Sequence, residues 1–229
     1  MATRVTTAAV IGMACLGLLL SGCSSSKPDS GAQSSPASST VDSPLMADVR
    51  QSVDATKALN SAHLAVRTTG QIDSMLGITS ADVDVRANPL SAKGACTYHD
   101  ESGVPFRIKD DNISVKLFDD WTNLGSVTDL SASRLLDPIN GVAKMLSGVT
   151  NLQSQGSETI DGVPTTKISG TLPPDTVKIL VPDAKNSAPA TVWIASDGSH
   201  RLVQARVDLG SGKTLQVTLS KWNEPVNVD

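Results

Sequence analysis

Residues 81–87 read Ala-Asp-Val-Asp-Val-Arg-Ala, so that Ala81, Val83, Val85 and Ala87 alternate with Asp82, Asp84 and Arg86. Side chains on a strand point to opposite faces in turn, and this spacing therefore makes one apolar face and one charged face. On a helix the same residues would be scattered around the axis. The stretch is a half-buried strand, as expected of an antiparallel sheet with one face on a core and one in water. The same period runs upstream, where Ala62, Leu64 and Val66 alternate with His63 and Arg67. Downstream, Asn88-Pro89 makes a turn, and a strand from Ser91 to His99 puts Ala92, Gly94, Cys96 and Tyr98 on one face.

Working outward, Asp100 to Gly103 reads as a hairpin loop and Asp110-Asp111-Asn112 as another, followed by Ile113, Val115 and Leu117 on a shared face. Asp161-Gly162 closes a further hairpin, and Val192 and Ile194 lead into the turn Ser196-Asp197-Gly198-Ser199. Val203, Ala205, Val207 and Leu209 then alternate, Gly210-Ser211-Gly212 turns the chain, and Leu215, Val217 and Leu219 share the face of a final strand. Helical spacing occurs in three places. Leu45, Val49 and Val53 fall at i, i+4 and i+8 after Pro44, with Asp42 or Ser43 as the cap. Asp137-Pro138 starts a second helix carrying Val142, Met145, Leu146 and Val149, and Pro174 to Leu180 forms a short third. Short strands joined by tight turns, with a few helices, predict one α+β domain in which the helices cover one side of an antiparallel sheet.

Composition narrows the function classes. The 229 residues carry 19 Lys and Arg against 23 Asp and Glu, a net charge of −4, which excludes a basic nucleic-acid binder. Aromatic residues make up only 3%, so the core is built from Val, Leu, Ile and Ala. The N-terminus has its own character. Arg4 is followed by an apolar run from Ala8 to Leu20 and then by Leu20-Ser21-Gly22-Cys23. That run is too short to cross a bilayer, which takes about 20 residues, but it fits the apolar region of a signal peptide. Leu-Ser-Gly-Cys matches a bacterial lipobox: small residues admit the backbone to a peptidase, and the Cys23 thiolate takes a diacylglyceryl group. Residues 1–22 are accordingly expected to be a signal peptide. Residues 23–43 are expected to be a lipidated Cys23 with a serine-rich flexible tether, and 44–229 the folded domain. Nine serines lie between Ser24 and Ser43, a composition unable to bury enough surface to order itself. With Cys15 removed and Cys23 acylated, Cys96 has no disulfide partner.

The search for chemistry is mostly negative. No GxSxG, HExxH, CxxC or GxGxxG occurs, and His63, His99 and His200 fall at polar strand positions or beside turns. Gly210-Ser211-Gly212-Lys213-Thr214 looks like the end of a phosphate-binding loop, but Val207 stands where its first glycine belongs and the segment joins two strands. Asp110-Asp111 and Asp119-Asp120 suit turns better than a metal. No enzyme, cofactor or metal is expected. Cys96 reads either as a small buried hydrophobe or as a reactive thiol with Lys93 as the nearby cation. Strand faces of Ala, Gly, Val, Cys and Thr beneath helices leave either a thin packed layer or an apolar volume suited to an acyl chain.

Five segments carry a resemblance: SVDATKALNSAH at 52–63, GITSADVDVRANP at 77–89, FDDWTNLG at 118–125, ATVWIA at 190–195 and SKWNEPVNVD at 220–229. Together with the lipobox they resemble the mycobacterial lipoprotein family comprising LppX, LprA, LprF and LprG. The resemblance implies a curved antiparallel sheet, a half-barrel, with helices covering the concave face around an apolar cavity. It also implies a lipid-anchored carrier of long-chain lipids on the periplasmic face of the cell membrane, partly released to the outer envelope. Phthiocerol dimycocerosates are the cargo associated with one member. The partners so implied are a long-chain lipid ligand, the membrane through the N-terminal anchor, and an inner-membrane lipid transporter; nucleic acid is not among them, and a monomer is expected. Strand parity and helical spacing then nominate Val83, Val85, Cys96, Val115, Leu117, Val142, Met145 and Leu146 as the cavity lining. A scaffold with a filled core and a surface partner site is the alternative, and a histidine-dependent lipid-modifying enzyme a third.

Overall fold

The computed structural model describes residues 44–128, 137 and 141–228. The leader, Cys23, the tether, the Asp42 and Ser43 cap positions and Pro138 lie outside the described residues. Helix α1 (Pro44–Lys57) starts on its proline and buries Val49, Ser52, Val53 and Thr56, the i, i+3, i+4, i+7 stripe of an amphipathic helix. The Thr56 hydroxyl donates to the Ser52 carbonyl at 2.7 Å and so needs no partner in the core.

Among the described residues, eleven strands follow. They are β1 (Ser61–Thr69), β2 (Ile78–Arg86), β3 (Ser91–Tyr98), β4 (Glu101–Lys109), β5 (Asn112–Leu117), β6 (Asp120–Ser126), β7 (Thr150–Ile160), β8 (Val163–Leu172), β9 (Ala188–Ala195), β10 (Leu202–Gly210) and β11 (Lys213–Ser220). Two short helices interrupt the series, α2 (Ala143–Ser147) before β7 and α3 (Pro174–Val177) after β8. All eleven strands form one antiparallel sheet in the order β6-β5-β4-β3-β2-β1-β11-β10-β9-β8-β7. The sheet is open, with β6 at one edge and β7 at the other. Twisted sheets of more than about ten strands curl rather than stay flat.

The register produces one continuous apolar rung. Val104, Cys96, Ala81, Val66, Val217, Ala205, Val192 and Ile168 are successive cross-strand partners from β4 to β8. Because directly paired residues share a face, this rung and its neighbours form the core side. The opposite face is charged: His63 sits between Asp84 at 2.7 Å and Asp82 at 2.9 Å, and Arg67 also reaches Asp82.

The hairpins are tighter than the sequence suggested. The loop expected over Asp100 to Gly103 is a turn on His99 and Asp100, which have φ of 44° and 68°, and Glu101 already belongs to β4. Two consecutive positive φ values match the twist of the flanking strands, which is why such turns close antiparallel pairs. Asp110-Asp111 and Asp161-Gly162 do the same. A second difference lies in β10. The register shifts between Leu202 and Gln204, so a bulge at Val203 breaks the expected Val203–Ala205 alternation and brings Leu202 onto the core face opposite Ile194.

One glycine is demanded by packing. A Cβ on Gly94 would lie 2.1 Å from the Asp82 carbonyl oxygen and 2.7 Å from the Val83 Cα, both backbone atoms. β2 and β3 approach so closely there that no side chain fits.

Candidate functional site

An apolar cavity of about 30 Å³ lies between α2 and strands β9 to β11. Opposite the sheet it is walled by Met145 and Leu146 of α2, by Val142 just before the helix and by Val149 just after it. Its sheet wall includes Val192, Ala205, Val207 and Val217 from the core side, with Leu202 brought in by the bulge. Ala190 and Ala205 are the small members, and the space stands over them. A volume of this size accommodates about one water-sized sphere, and an aliphatic lining gives water nothing to bond. What such a site offers a ligand is dispersion contact and desolvation.

The residues nominated from sequence fall into two groups. Val142, Met145 and Leu146 come together on the cavity wall. Val83, Val85, Cys96 and Val115 are buried on the same face of the sheet, in the β2–β5 half, where Val83 and Val115 are 0% exposed. Leu117 is half-buried beside the Phe118 turn, in a surface depression that also includes Tyr98 and Val104. The strand contributors Ala190, Leu202, Ala205, Val207 and Val217 went unnominated. The alternation of β10 and β11 is plain in sequence, but which strands lie beneath a helix is decided by long-range pairing.

Cys96 is 3% exposed, and burial pushes its thiol up to about 11. The thiolate, the reactive form, is therefore scarce at neutral pH. Its cross-strand neighbours are Ala81 and Val104, and it packs as a small apolar residue. The histidines are distributed rather than convergent. His63 bridges two aspartates on the outer face, the His99 ring meets Tyr98 edge-on at 4.4 Å, and His200 lies 3.8 Å from Asp48. Among the described residues no group of three or more His, Cys, Asp or Glu side chains could hold a metal ion.

On the outer face, the Trp193 indole N–H and the Lys167 ammonium both reach Glu158, at 2.9 and 3.1 Å. The hydrogen bond from Trp193, then that from Lys167, holds the Glu158 carboxyl below its ordinary range. This group fastens β7 to β8 and β9, on the side of the sheet away from the cavity.

The model of the LppX_LprAFG lipoprotein family matches residues 43–228. The chain belongs to this family. Among its relatives, LppX of Mycobacterium tuberculosis, named as a proposed phthiocerol dimycocerosate transporter, is 66% identical over 229 residues, covering 99% of this chain and 98% of that one. LprG of Mycobacterium tuberculosis, named as a lipoarabinomannan carrier protein, is 32% identical and covers 98% of this chain and 94% of its own. The crystal structure of Mycobacterium tuberculosis LppX superposes with a TM-score of 0.73 at 68% identity, over 81% of this chain and 98% of that structure. The open antiparallel sheet with few helices is thus the architecture that this chain shares with LppX, and of its relatives LppX is named as a proposed transporter and LprG as a carrier.

Proposed function

We propose that this chain is a lipid carrier of the cell envelope. It is anchored in the cell membrane through acylated Cys23, stands off on residues 23–43, and holds a long apolar chain between its sheet and its helices. The cargo is a complex long-chain lipid of the phthiocerol dimycocerosate kind, taken up on the periplasmic side, from an inner-membrane lipid transporter, and moved toward the outer envelope. The observation that carries the reading is the aliphatic cavity between α2 and the β9–β11 core face. The names given to LppX and LprG support the same class of activity.

The physical chemistry is simple. Each methylene moved from water into an aliphatic site gains about 0.8 kcal/mol, so ten buried methylenes supply roughly 8 kcal/mol before ordering costs. A polar group would lose its water and find no partner, so the cavity selects chain and rejects headgroup. At about 30 Å³ it admits a methyl-sized group, and it marks one stretch of the path of a longer chain. No bond is made or broken in this activity, and the protonated Cys96 thiol takes no part in it.

Native mass spectrometry of the full-length protein from its own host tests the reading. The expected result is a co-purifying long-chain lipid; clean protein without lipid favours a scaffold with a filled core.

A further inference from the structure

The core face of β10 does not end at the cavity. Ala205 and Val207 line the cavity, and Leu209, two residues farther along, lines a depression of about 280 Å³. Leu209 lies roughly 7 Å along β10 from Val207, and both it and Ala205 pack against the core cluster that holds Val207, so the cavity and the depression are successive stations along one strip. Leu209 also sits where the β10–β11 register shifts, between Asp208 and Gly210, which leaves it outside the paired ladder. Two further surface depressions do not share this strip. The one beside Phe118 is built on β3, β4 and β5, and the one around Gln204, Gln216 and Thr218 lies on the opposite parity of β10 and β11.

Three loops enclose the depression. Ile72, Asp73 and Ser74 come from the connection between β1 and β2, Val181 to Asp183 from the segment after α3, and Leu209 to Lys213 from the β10–β11 turn. The first two are joined by one side-chain hydrogen bond, in which the Ser74 hydroxyl donates to the Leu180 carbonyl. The turn at Asp73–Met75 is only three residues long, has no side-chain cap, and ends on Leu76 at φ 54°. Ile72 and Met75 anchor this uncapped turn in the core, and the Ser74 hydroxyl is the side-chain bond that ties it to the segment after α3.

We infer that this depression is the mouth of the carrier, through which a lipid with an uncharged polar end passes its chain along Leu209 to Val207 and Ala205. The inference rests on the carrier reading above and adds where the lipid enters and which lipids are accepted. Ile72, Val181 and Leu209 supply an apolar floor for the chain. At the rim, Asp73 and Asp183 outnumber Lys213, so the mouth carries net negative charge. It repels a phosphate or free carboxylate, whereas ester and hydroxyl groups can bond the lysine, the serine hydroxyls or the loop backbone. The Ser74–Leu180 bond is the latch.

The test follows loading of a pyrene-labelled wax ester from phosphatidylcholine vesicles into the full-length protein. Leu209→Trp, or Val181→Trp on the facing wall if the first variant folds poorly, should slow loading about tenfold, equivalent to roughly 1.4 kcal/mol added to the passage barrier. The amount bound at saturation should stay the same. Ser74→Ala should speed loading about threefold, and a pyrene-labelled fatty acid should load more slowly than the ester. Unchanged rates in folded Leu209→Trp and Val181→Trp proteins overturn the mouth while leaving the carrier reading intact. Faster loading of the fatty acid overturns the assignment of an uncharged end. A wild-type protein that takes up no wax ester overturns both the carrier and its mouth.

Discussion

The two halves of the sheet draw on the same palette and use it differently. From β2 to β5 the core face reads Ala81, Val83, Gly94, Cys96, Phe106 and Val115, and Val83 and Val115 are covered completely. From β9 to β11 it reads Ala190, Val192, Ala205, Val207 and Val217, and a cavity remains beneath α2. In the first half the small residue draws two backbones together, because Gly94 lets the Asp82 carbonyl occupy the place of a Cβ, and one of the two phenylalanines of the chain lies across from it. In the second half the small residues are alanines facing a helix of five residues, whose Met145 and Leu146, with Val142 and Val149 on either side of the helix, line the remaining space. A small side chain does not by itself make space. Space remains where the next layer cannot follow the backbone inward.

This contrast can be broken at several points. The largest effect is expected at Gly94. Gly94→Ala should destabilise the domain by about 3 kcal/mol, read from the shift of its urea unfolding midpoint, because the new methyl meets backbone rather than a movable side chain. A loss below about 1 kcal/mol would show that the two strands can separate freely and that the first half is not tightly drawn together. Leu146→Ala on the cavity wall should cost about 2–3 kcal/mol in lipid-free protein. Long-chain lipid should raise the unfolding midpoint of Leu146→Ala by more than it raises that of the wild type, recovering part of the loss, and should raise that of Val115→Ala in the other half only by the wild-type amount. Equal recovery in both variants would erase the distinction between the halves. Ala205→Phe should fill the cavity, change stability by about 1–2 kcal/mol, and lower the lipid retained in native mass spectra. Full lipid retention would move the chain's path elsewhere.

The smallest effect belongs to the β9–β10 turn bordering the cavity half. The Ser199 hydroxyl and backbone N–H, followed by Arg201, hold the Asp197 carboxyl down at about 2. Its folded value lies below its unfolded one, near 4, so its contribution is present above about pH 4 and fades as the pH falls toward 2. Asp197→Asn should cost under about 1 kcal/mol at pH 7 and distinctly less at pH 2, measured by thermal unfolding at both values.

Much of the fold is legible in the residues themselves. The alternation at 81–86, the Asp161-Gly162 turn and the Val49–Val53 stripe follow from period and turn chemistry and appear where expected, while the turn after β3 falls on His99 and Asp100, one residue earlier than its polar residues suggest. The edges are illegible for a physical reason. β6 is Asp-Trp-Thr-Asn-Leu-Gly-Ser and β7 is Thr-Asn-Leu-Gln-Ser-Gln-Gly-Ser-Glu-Thr-Ile, polar on both faces and exposed over most of their length. With no buried side there is no apolar period to detect, and polar residues are what keeps an unpaired edge from adding another chain. The cavity wall is half legible. Helical spacing finds Val142, Met145 and Leu146, whereas the strand wall depends on where α2 lands and on a bulge that changes the parity at Val203. Neither leaves a local trace.

The free edges at β6 and β7 carry one more consequence. A closed barrel has its circumference fixed by strand number and stagger, so its lumen has one size. A strip of eleven strands has no circumference. It can roll tighter or flatten by small changes of twist at each of its neighbouring pairs while every ladder hydrogen bond stays intact. Capacity then becomes an elastic property of the wall, and one fold can serve cargoes of unequal length by giving way to each.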